Sequence, residues 1–157
     1  AFLRLGDKTE VSLYREHLAR NFVRPYAEIE LGIALRNSGV CSSCMDNTDG
    51  YSECFYELSL ESRVKFVLEE ERILVPPEVL AVAEAAKLDA VEMGLRAGAD
   101  FGLVGTVSDP AILDSLRKTN WPYLQMIGRV EAGCGVVIRR GEVVSDVARS
   151  GWNYFLK

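Results

Sequence analysis

Two carboxylates and a hydroxyl, those of Asp46, Asp49 and Thr48, lie within a short stretch that ends at Gly50. The small, half-apolar residues 39–45 predict a short buried strand before it, and apolar residues at helical spacing predict a helix after it. Carboxylates at a helix start commonly accept hydrogen bonds from unpaired backbone N–H groups. Oxygen ligands at this spacing also suit a hard cation such as Mg²⁺. The residue types alone leave both a helix cap and a metal site open.

Two further stretches carry candidate functional residues. Gly98 and Asp100 follow a predicted helix, where a glycine favours a left-handed C-cap and an aspartate favours a turn. A carboxylate at such a helix–strand junction is also suited to line a cleft. Near the C-terminus, Trp152, Tyr154 and Phe155 either anchor the tail to the core or form a stacking surface for a planar ligand.

The cysteines do not form a convincing metal set. Cys41 and Cys44 are spaced as a C-x-x-C pair, but Cys54 and Cys134 lie far away and His17 is the single histidine. Small buried thiols are favoured over a redox pair, because reduced cysteines are the norm in cytosolic proteins. A redox role for the pair stays open.

Composition places the chain among single-domain globular proteins. It has 157 residues, of which 48% are hydrophobic and 26% charged, enough for a sizeable core. The apolar runs are short and interrupted, so we expect no membrane segment. The net charge of −5 without a basic stripe argues against nucleic-acid binding. We expect a cytoplasmic protein. The first residue is Ala1 rather than Met, so we expect the chain to be trimmed or cut from something longer.

Helical and extended patterns alternate along the chain. Hydrophobic spacing and capping residues predict helices over residues 10–22, 27–35, 51–60, 77–87, 89–96 and 110–118. Strands are predicted over residues 64–68 and 101–107, and extended segments over residues 123–130, 135–139 and 142–147. Helices and strands interleave early and strands cluster late. This order predicts an α+β fold, with helices packed on a mixed, largely antiparallel sheet.

Five short elements, taken in order, resemble thiamine-monophosphate kinase. They are Arg24-Pro25 with Gly32, residues 46–50, residues 98–101, residues 127–130 and the Gly-Trp-x-x-Phe tail at residues 151–155. That family is similar in fold to aminoimidazole ribonucleotide synthetase, hydrogenase maturation protein E and selenophosphate synthetase. The resemblance implies a layered α/β/α C-terminal domain spanning residues 1–157. It also implies a preceding N-terminal domain, not contained in this sequence, that dimerises and carries much of the ATP and Mg²⁺ site.

The resemblance implies roles for particular residues. Asp46 and Asp49 match the metal-binding acids, and Thr48 matches a serine that contacts ATP. The expected substrate-binding residues are Asp100, Trp152 and Phe155. The expected reaction transfers a phosphoryl group from ATP to thiamine monophosphate. The attacking phosphate oxygen is already anionic, so no general base is required and no catalytic residue is assigned. The full-length protein is expected to be a homodimer, and the isolated chain inactive.

Departures from the family pattern leave other functions open. Ala99 replaces a carboxylate, Tyr51 replaces the usual leucine, and Asn153-Tyr154 replaces Asp-His. These changes suit a kinase with an altered substrate, or another ATP-dependent enzyme of the superfamily. A degenerate, non-catalytic binding domain, in which the two acids only cap a helix, is the third alternative.

Overall fold

The computed structural model describes residues 23–151 together with positions 14, 16, 19 and 20. The helix predicted over residues 10–22 lies largely outside the described residues, as do Trp152, Tyr154 and Phe155. The described helices are α1 (Ile29–Asn37), α2 (Tyr51–Ser62), α3 (Pro77–Ala86), α4 (Ala90–Arg96) and α5 (Ala111–Thr119). The described strands are β1 (Cys41–Asp46), β2 (Val64–Glu69), β3 (Leu103–Val107), β4 (Gly128–Ala132), β5 (Gly135–Arg140) and β6 (Val143–Asp146).

The strands form two sheets rather than one. Strands β1 and β3 pair antiparallel as a two-stranded ribbon, with a register shift near Cys41. The second sheet has the order β4-β2-β5-β6. Within it β2 and β5 run parallel, whereas the other two pairs are antiparallel. The predicted α+β class with a mixed, largely antiparallel sheet is therefore confirmed, and its division into two sheets is the new feature.

The core lies where α2 packs on β2 and β5. Phe55 of α2 meets Phe66 of β2 with ring centroids 5.4 Å apart, and full burial of such a side chain contributes roughly 1.5–3 kcal/mol. Phe66 and Leu68, on one face of β2, are buried. The structure buries Val67 between them as well. Successive strand residues point to opposite faces, so the burial of all three residues shows that both faces of β2 are covered here.

Strand and helix boundaries differ from the predictions where local contacts intervene. Strand β3 begins at Leu103 rather than residue 101, because Phe101 adopts a left-handed φ of 56°. The segment predicted as extended over residues 123–130 becomes a strand only at Gly128. Before it, Gln125 accepts a hydrogen bond from the backbone N–H of Leu74 at 2.8 Å.

Two aspartates accept hydrogen bonds from backbone N–H groups at helix starts. Asp89 accepts from the N–H of Glu92 at 2.8 Å, and Asp109 accepts from the N–H of Ala111 at 2.9 Å. None of the described helices combines the length and apolar character needed to span a bilayer.

Candidate functional site

The acidic turn, residues 46–50, joins the end of β1 to the start of α2. Asp46, Thr48 and Asp49 are exposed, whereas Asn47 between them is completely buried. Gly50 precedes α2 with a φ of 117°, a backbone conformation that side chains other than glycine's rarely allow. The turn therefore presents two carboxylates and a hydroxyl to solvent from a backbone that is anchored inside.

Asn47 supplies that anchor. Its Nδ2 donates to the carbonyl of Ala97 at 3.0 Å and to Oδ1 of Asp100 at 2.9 Å. Its Oδ1 accepts from the N–H of Gly50 at 3.0 Å. Its backbone N–H donates to Gly102 at 2.8 Å, and its carbonyl accepts from Phe101 at 3.2 Å. Sequence reasoning missed this residue. The available signal was that an amide both donates and accepts.

Neither carboxylate of the acidic turn caps α2. The N-cap residue is Gly50, which has no side chain to make a capping hydrogen bond. The N–H of Gly50 is satisfied instead by Asn47. Oδ2 of Asp46 accepts from the Thr48 hydroxyl at 3.0 Å, within the turn itself. The interpretation of Asp46 and Asp49 as helix caps is therefore wrong, and their charges face solvent.

The loop 97–102 packs directly against the acidic turn. Gly98 is not the left-handed C-cap that its position predicted. Helix α4 ends at Arg96, its C-cap residue Ala97 is extended, and in loop 97–102 positive φ occurs at Ala99 and Phe101. A Cβ on Gly98 would lie 2.6 Å from the carbonyl oxygen of Thr48 and 2.7 Å from the nitrogen of Gly50. Glycine is required here for close approach of two backbones.

Asp100 links this loop to the turn. Besides Asn47, its Oδ1 accepts from the N–H of Gly102 at 3.0 Å, and its Oδ2 accepts from the Tyr51 hydroxyl at 3.0 Å. Burial and the adjacent Asp100 charge raise the pKa of Tyr51, which keeps the phenol protonated as a donor. A substrate contact by Asp100 stays a prediction, and in this structure the carboxylate joins two segments of the chain.

The segment after β6 runs along α2 toward the acidic turn. The Tyr56 hydroxyl donates to the carbonyl of Val147 at 2.7 Å, and Arg149 pairs with Glu53 at 2.5 Å. Arg149 also pairs with Glu57, and Ser150 lies within hydrogen-bond distance of Ser52 at 3.0 Å.

Gly151 then packs tightly on the helix, because a Cβ there would lie 2.6 Å from the Cβ of Glu53. The described chain thus ends beside the first turn of α2. The predicted ring-binding residues Trp152 and Phe155 follow outside the described residues.

Comparison with known proteins shows the family of this chain. No protein-family model matches the chain. It is 31% identical over 139 residues to the thiamine-monophosphate kinase of Pyrococcus abyssi, which covers 88% of this chain and 40% of that protein. The enzyme of Pyrococcus horikoshii is 31% identical over 130 residues, 83% of this chain and 38% of its own length. The chain belongs to the thiamine-monophosphate kinase family. It spans less than half the length of these relatives.

Solved structures of the thiamine-monophosphate kinase family share the fold. AaThiL complexed with AMPPCP and TMP matches with a TM-score of 0.71 and 25% identity, over 98% of this chain and 46% of that one. The hydrogenase maturation protein HypE of E. coli matches with a TM-score of 0.60 at 20% identity, which shows the fold alone. The predicted kinase family and the predicted similarity in fold to hydrogenase maturation protein E are confirmed.

The donor set of this thiamine-monophosphate kinase-family chain fits Mg²⁺ in one particular way. Asp46, Asp49 and Thr48 offer only oxygen atoms, which hard cations prefer. Within the described residues no group of three or more His, Cys, Asp or Glu side chains could hold a metal by itself. Mg²⁺ is commonly bound by one or two carboxylates, with phosphate oxygens and water completing its shell. The turn fits that mode and not an all-protein cage.

The thiols near the turn are poorly activated. Burial and the Asp46 charge raise the pKa of Cys54 to about 11. Burial and the neighbouring Cys41 raise the pKa of Cys44 as well. The thiolate is the reactive form of cysteine, so both shifts oppose nucleophilic or redox chemistry. All cysteines of the chain are free.

Proposed function

We propose that this chain is the C-terminal domain of an ATP- and Mg²⁺-dependent thiamine-monophosphate kinase, which acts in the cytoplasm as a homodimer. The reaction would transfer the terminal phosphoryl group of ATP to thiamine monophosphate and give thiamine diphosphate. The observation that carries the proposal is the acidic turn, in which Asp46, Thr48 and Asp49 are all exposed while the residue between them is fully buried. The similarity to a kinase bound to AMPPCP and TMP supports the two substrates.

Asp46 and Asp49 would hold Mg²⁺, and the Thr48 hydroxyl would contact ATP. When bound, the cation neutralises charge on the phosphates during phosphoryl transfer. The carboxylates are free for this role because neither is used by the amides of α2. The Thr48 hydroxyl is held 3.0 Å from Asp46, so nucleotide and cation ligands would be adjacent.

The substrate side would be formed by Asp100 and by the tail residues Trp152 and Phe155. Two observations support their proximity to the acidic turn. Asp100 bonds to Asn47 within the turn region at 2.9 Å. Arg149 and Gly151 contact α2, which brings the last described residue before Trp152 beside the first turn of the helix. Positioning would account for much of the catalysis, since effective molarity rises steeply when reacting groups are prealigned.

The isolated chain would fold without turning over. Two carboxylates are half of a phosphoryl-transfer site, and the relatives are more than twice as long as the segment that matches. Their additional length would supply the remaining nucleotide ligands and the dimer contacts. A robust kinase rate from residues 1–157 alone would contradict this division.

The test is phosphorylation of thiamine monophosphate by the protein as its gene encodes it, with Asp49→Asn as the variant. Asp114→Asn is the matched control, because Asp114 is an exposed acid that pairs with Arg117 on α5. We expect Asp49→Asn to abolish both turnover and Mg²⁺·ATP binding without lowering the melting temperature. The control should behave as the parent.

Two other results separate the alternatives. Full activity in Asp49→Asn would overturn the metal role of the turn. Absent activity in a parent protein that still binds Mg²⁺·ATP would point to another phosphate acceptor, in line with Ala99 and Asn153-Tyr154.

A further inference from the structure

We infer that Asn47 is a positioning residue for the metal ligands, acting with Asp100 and Tyr51 as a single unit. The side chains of these three residues together form what we call the Asn47 clamp. The inference rests on the proposed Mg²⁺ role of Asp46 and Asp49 and adds the device that fixes their geometry.

Loop 97–102 and the Asn47 side chain together restrain the acidic turn. Strand β1 ends at Asp46, and the N–H of Asn47 then donates to the carbonyl of Gly102 at 2.8 Å. The carbonyls of Asn47 and Thr48 accept from the N–H groups of Phe101 at 3.2 Å and Ala99 at 2.8 Å. These backbone bonds tie the turn to loop 97–102 as far as Thr48, and the Asn47 side chain extends the restraint to Gly50.

Burial of Asn47 also decides where its neighbours point. Successive side chains of an extended segment alternate between faces. With Asn47 at 0% exposure inside, Asp46 and Thr48 must project outward. Its amide bonds hold it there, because a buried amide left unpaired is costly.

The Asn47 clamp matches charge as well as shape. The neutral amide donates to the Asp100 carboxylate and simultaneously accepts from Gly50. The second oxygen of Asp100 is satisfied by the Tyr51 hydroxyl at 3.0 Å. An aspartate at position 47 would keep the Gly50 bond but face the Asp100 charge. An apolar residue would lose every side-chain bond. Among residues of similar size, only asparagine both donates a hydrogen bond to the Asp100 carboxylate and accepts one from the N–H of Gly50.

Fixed carboxylates bind a cation more tightly than mobile ones, since less ordering occurs on binding. Partners that orient metal ligands typically contribute 10–100-fold in metal affinity. We therefore expect the Asn47 clamp to act on Mg²⁺ affinity and not on the phosphoryl-transfer step itself.

The experiment measures direct Mn²⁺ binding by electron paramagnetic resonance, competed with Mg²⁺, and the melting temperature, in the protein as its gene encodes it. Asn47→Leu should weaken Mg²⁺ binding by about tenfold or more, with kcat at saturating Mg²⁺ largely retained. Ser59→Ala is the matched control. Ser59 is equally buried and makes two hydrogen bonds at the far end of α2. It should lower the melting temperature and leave the Mg²⁺ affinity unchanged.

A second pair of variants keeps the test decisive if Asn47→Leu fails to fold. Asp100→Ala removes the carboxylate that accepts from Asn47 and leaves Asn47 itself unchanged, and Tyr51→Phe removes only the hydroxyl that donates to Asp100. Both variants should weaken Mg²⁺ binding, Asp100→Ala more than Tyr51→Phe. Mg²⁺ affinity equal to that of the parent in both folded variants would overturn the Asn47 clamp.

Asp49→Asn separates failure of this inference from failure of the proposed function. If Asp49→Asn abolishes Mn²⁺ binding while the clamp variants bind as the parent does, only the positioning role is wrong. If Asp49→Asn binds Mn²⁺ unchanged, the metal site itself is wrong and the clamp has nothing to position.

Discussion

Helix α2 has a fully buried polar side chain close to each end, Asn47 four positions before its first residue and Ser59 in its last turn. Ser59 donates to the carbonyl of Val64 and accepts from the N–H of Gly135, both at 2.7 Å. Asn47 likewise bonds backbone groups on both sides, at Ala97 and Gly50. Each satisfies amides or carbonyls that would otherwise be buried without partners.

The two ends of α2 differ in whether polar side chains remain that the fold does not use. At the C-terminal end, Ser59 joins the start of β2 to the start of β5, and its polar atoms serve the fold alone. At the N-terminal end, Asn47 meets the needs of the backbone, which leaves Asp46 and Asp49 unused by the helix. The buried Asn47 side chain thus takes the place of a carboxylate cap, and the exposed Asp46 and Asp49 stay available to bind a ligand. Substitutions around the two ends test this difference, from the largest expected effect to the smallest.

The largest effect is expected for Gly98→Ala at the N-terminal end. The new Cβ would meet backbone atoms of Thr48, Gly50 and Asp49 at 2.6, 2.7 and 2.9 Å, none of which is a flexible side-chain end. Overpacking of this kind costs about 1–3 kcal/mol. Because the displaced atoms belong to the acidic turn, we expect Mg²⁺ affinity to fall together with the free energy of unfolding. Urea denaturation and Mn²⁺ binding measure the two effects.

Gly94→Ala is the control for Gly98→Ala. Gly94 lies within α4, and apart from the backbone of its own helix and its chain neighbours nothing lies within 4 Å of an added Cβ. Alanine is favoured over glycine in a helix by roughly 0.5–1 kcal/mol, so this variant should be stabilised with unchanged metal affinity. Equal effects of the two substitutions on the free energy of unfolding and on metal affinity would contradict our explanation of Gly98. That explanation is that the close contact of loop 97–102 with the acidic turn requires glycine.

The second prediction concerns alkaline pH. Cys54, in the first half of α2, has a pKa raised from 9.0 to about 11 by burial and by Asp46. The folded state therefore holds its proton more tightly than the unfolded state. This contribution is complete below pH 9 and is lost as the pH rises toward 11, on the order of 2 kcal/mol in total. Tyr51, whose pKa is also raised, adds a loss of the same sign.

Urea denaturation under reducing conditions at pH 8 and pH 11 measures this loss. Cys54→Ala should show a smaller difference between the two pH values than the parent, whatever its stability at pH 8. Cys134→Ala is the control, because Cys134 is exposed. An identical pH difference in the parent and in Cys54→Ala would show that the pKa of the Cys54 thiol is not raised in the folded state.

Local patterns predicted the elements well but not the contacts between distant segments. The starts of α3 at Pro77 and of α4 near Asp89 follow from adjacent residues, and both are confirmed. Gly98 was wrongly assigned because its constraint comes from Thr48, fifty positions earlier. Asn47 was missed for the same reason. Its partners Ala97 and Asp100 adjoin it only after β1 pairs with β3.

The smallest effects are expected for glycine substitutions at two residues with left-handed φ, one near each end of α2. Arg63, the C-cap of α2, has φ 55°, and Ala99 in loop 97–102 has φ 63°. A left-handed conformation costs a non-glycine residue roughly 1–2 kcal/mol, partly offset by the greater unfolded-state entropy of glycine. Arg63→Gly and Ala99→Gly should each raise the unfolding free energy by up to about 1 kcal/mol. Of these two residues, Ala99 but not Arg63 donates its N–H to the acidic turn, at the carbonyl of Thr48. A changed Mg²⁺ affinity is therefore expected for Ala99→Gly alone, and the same change in Arg63→Gly would mean that the two ends of α2 are not independent.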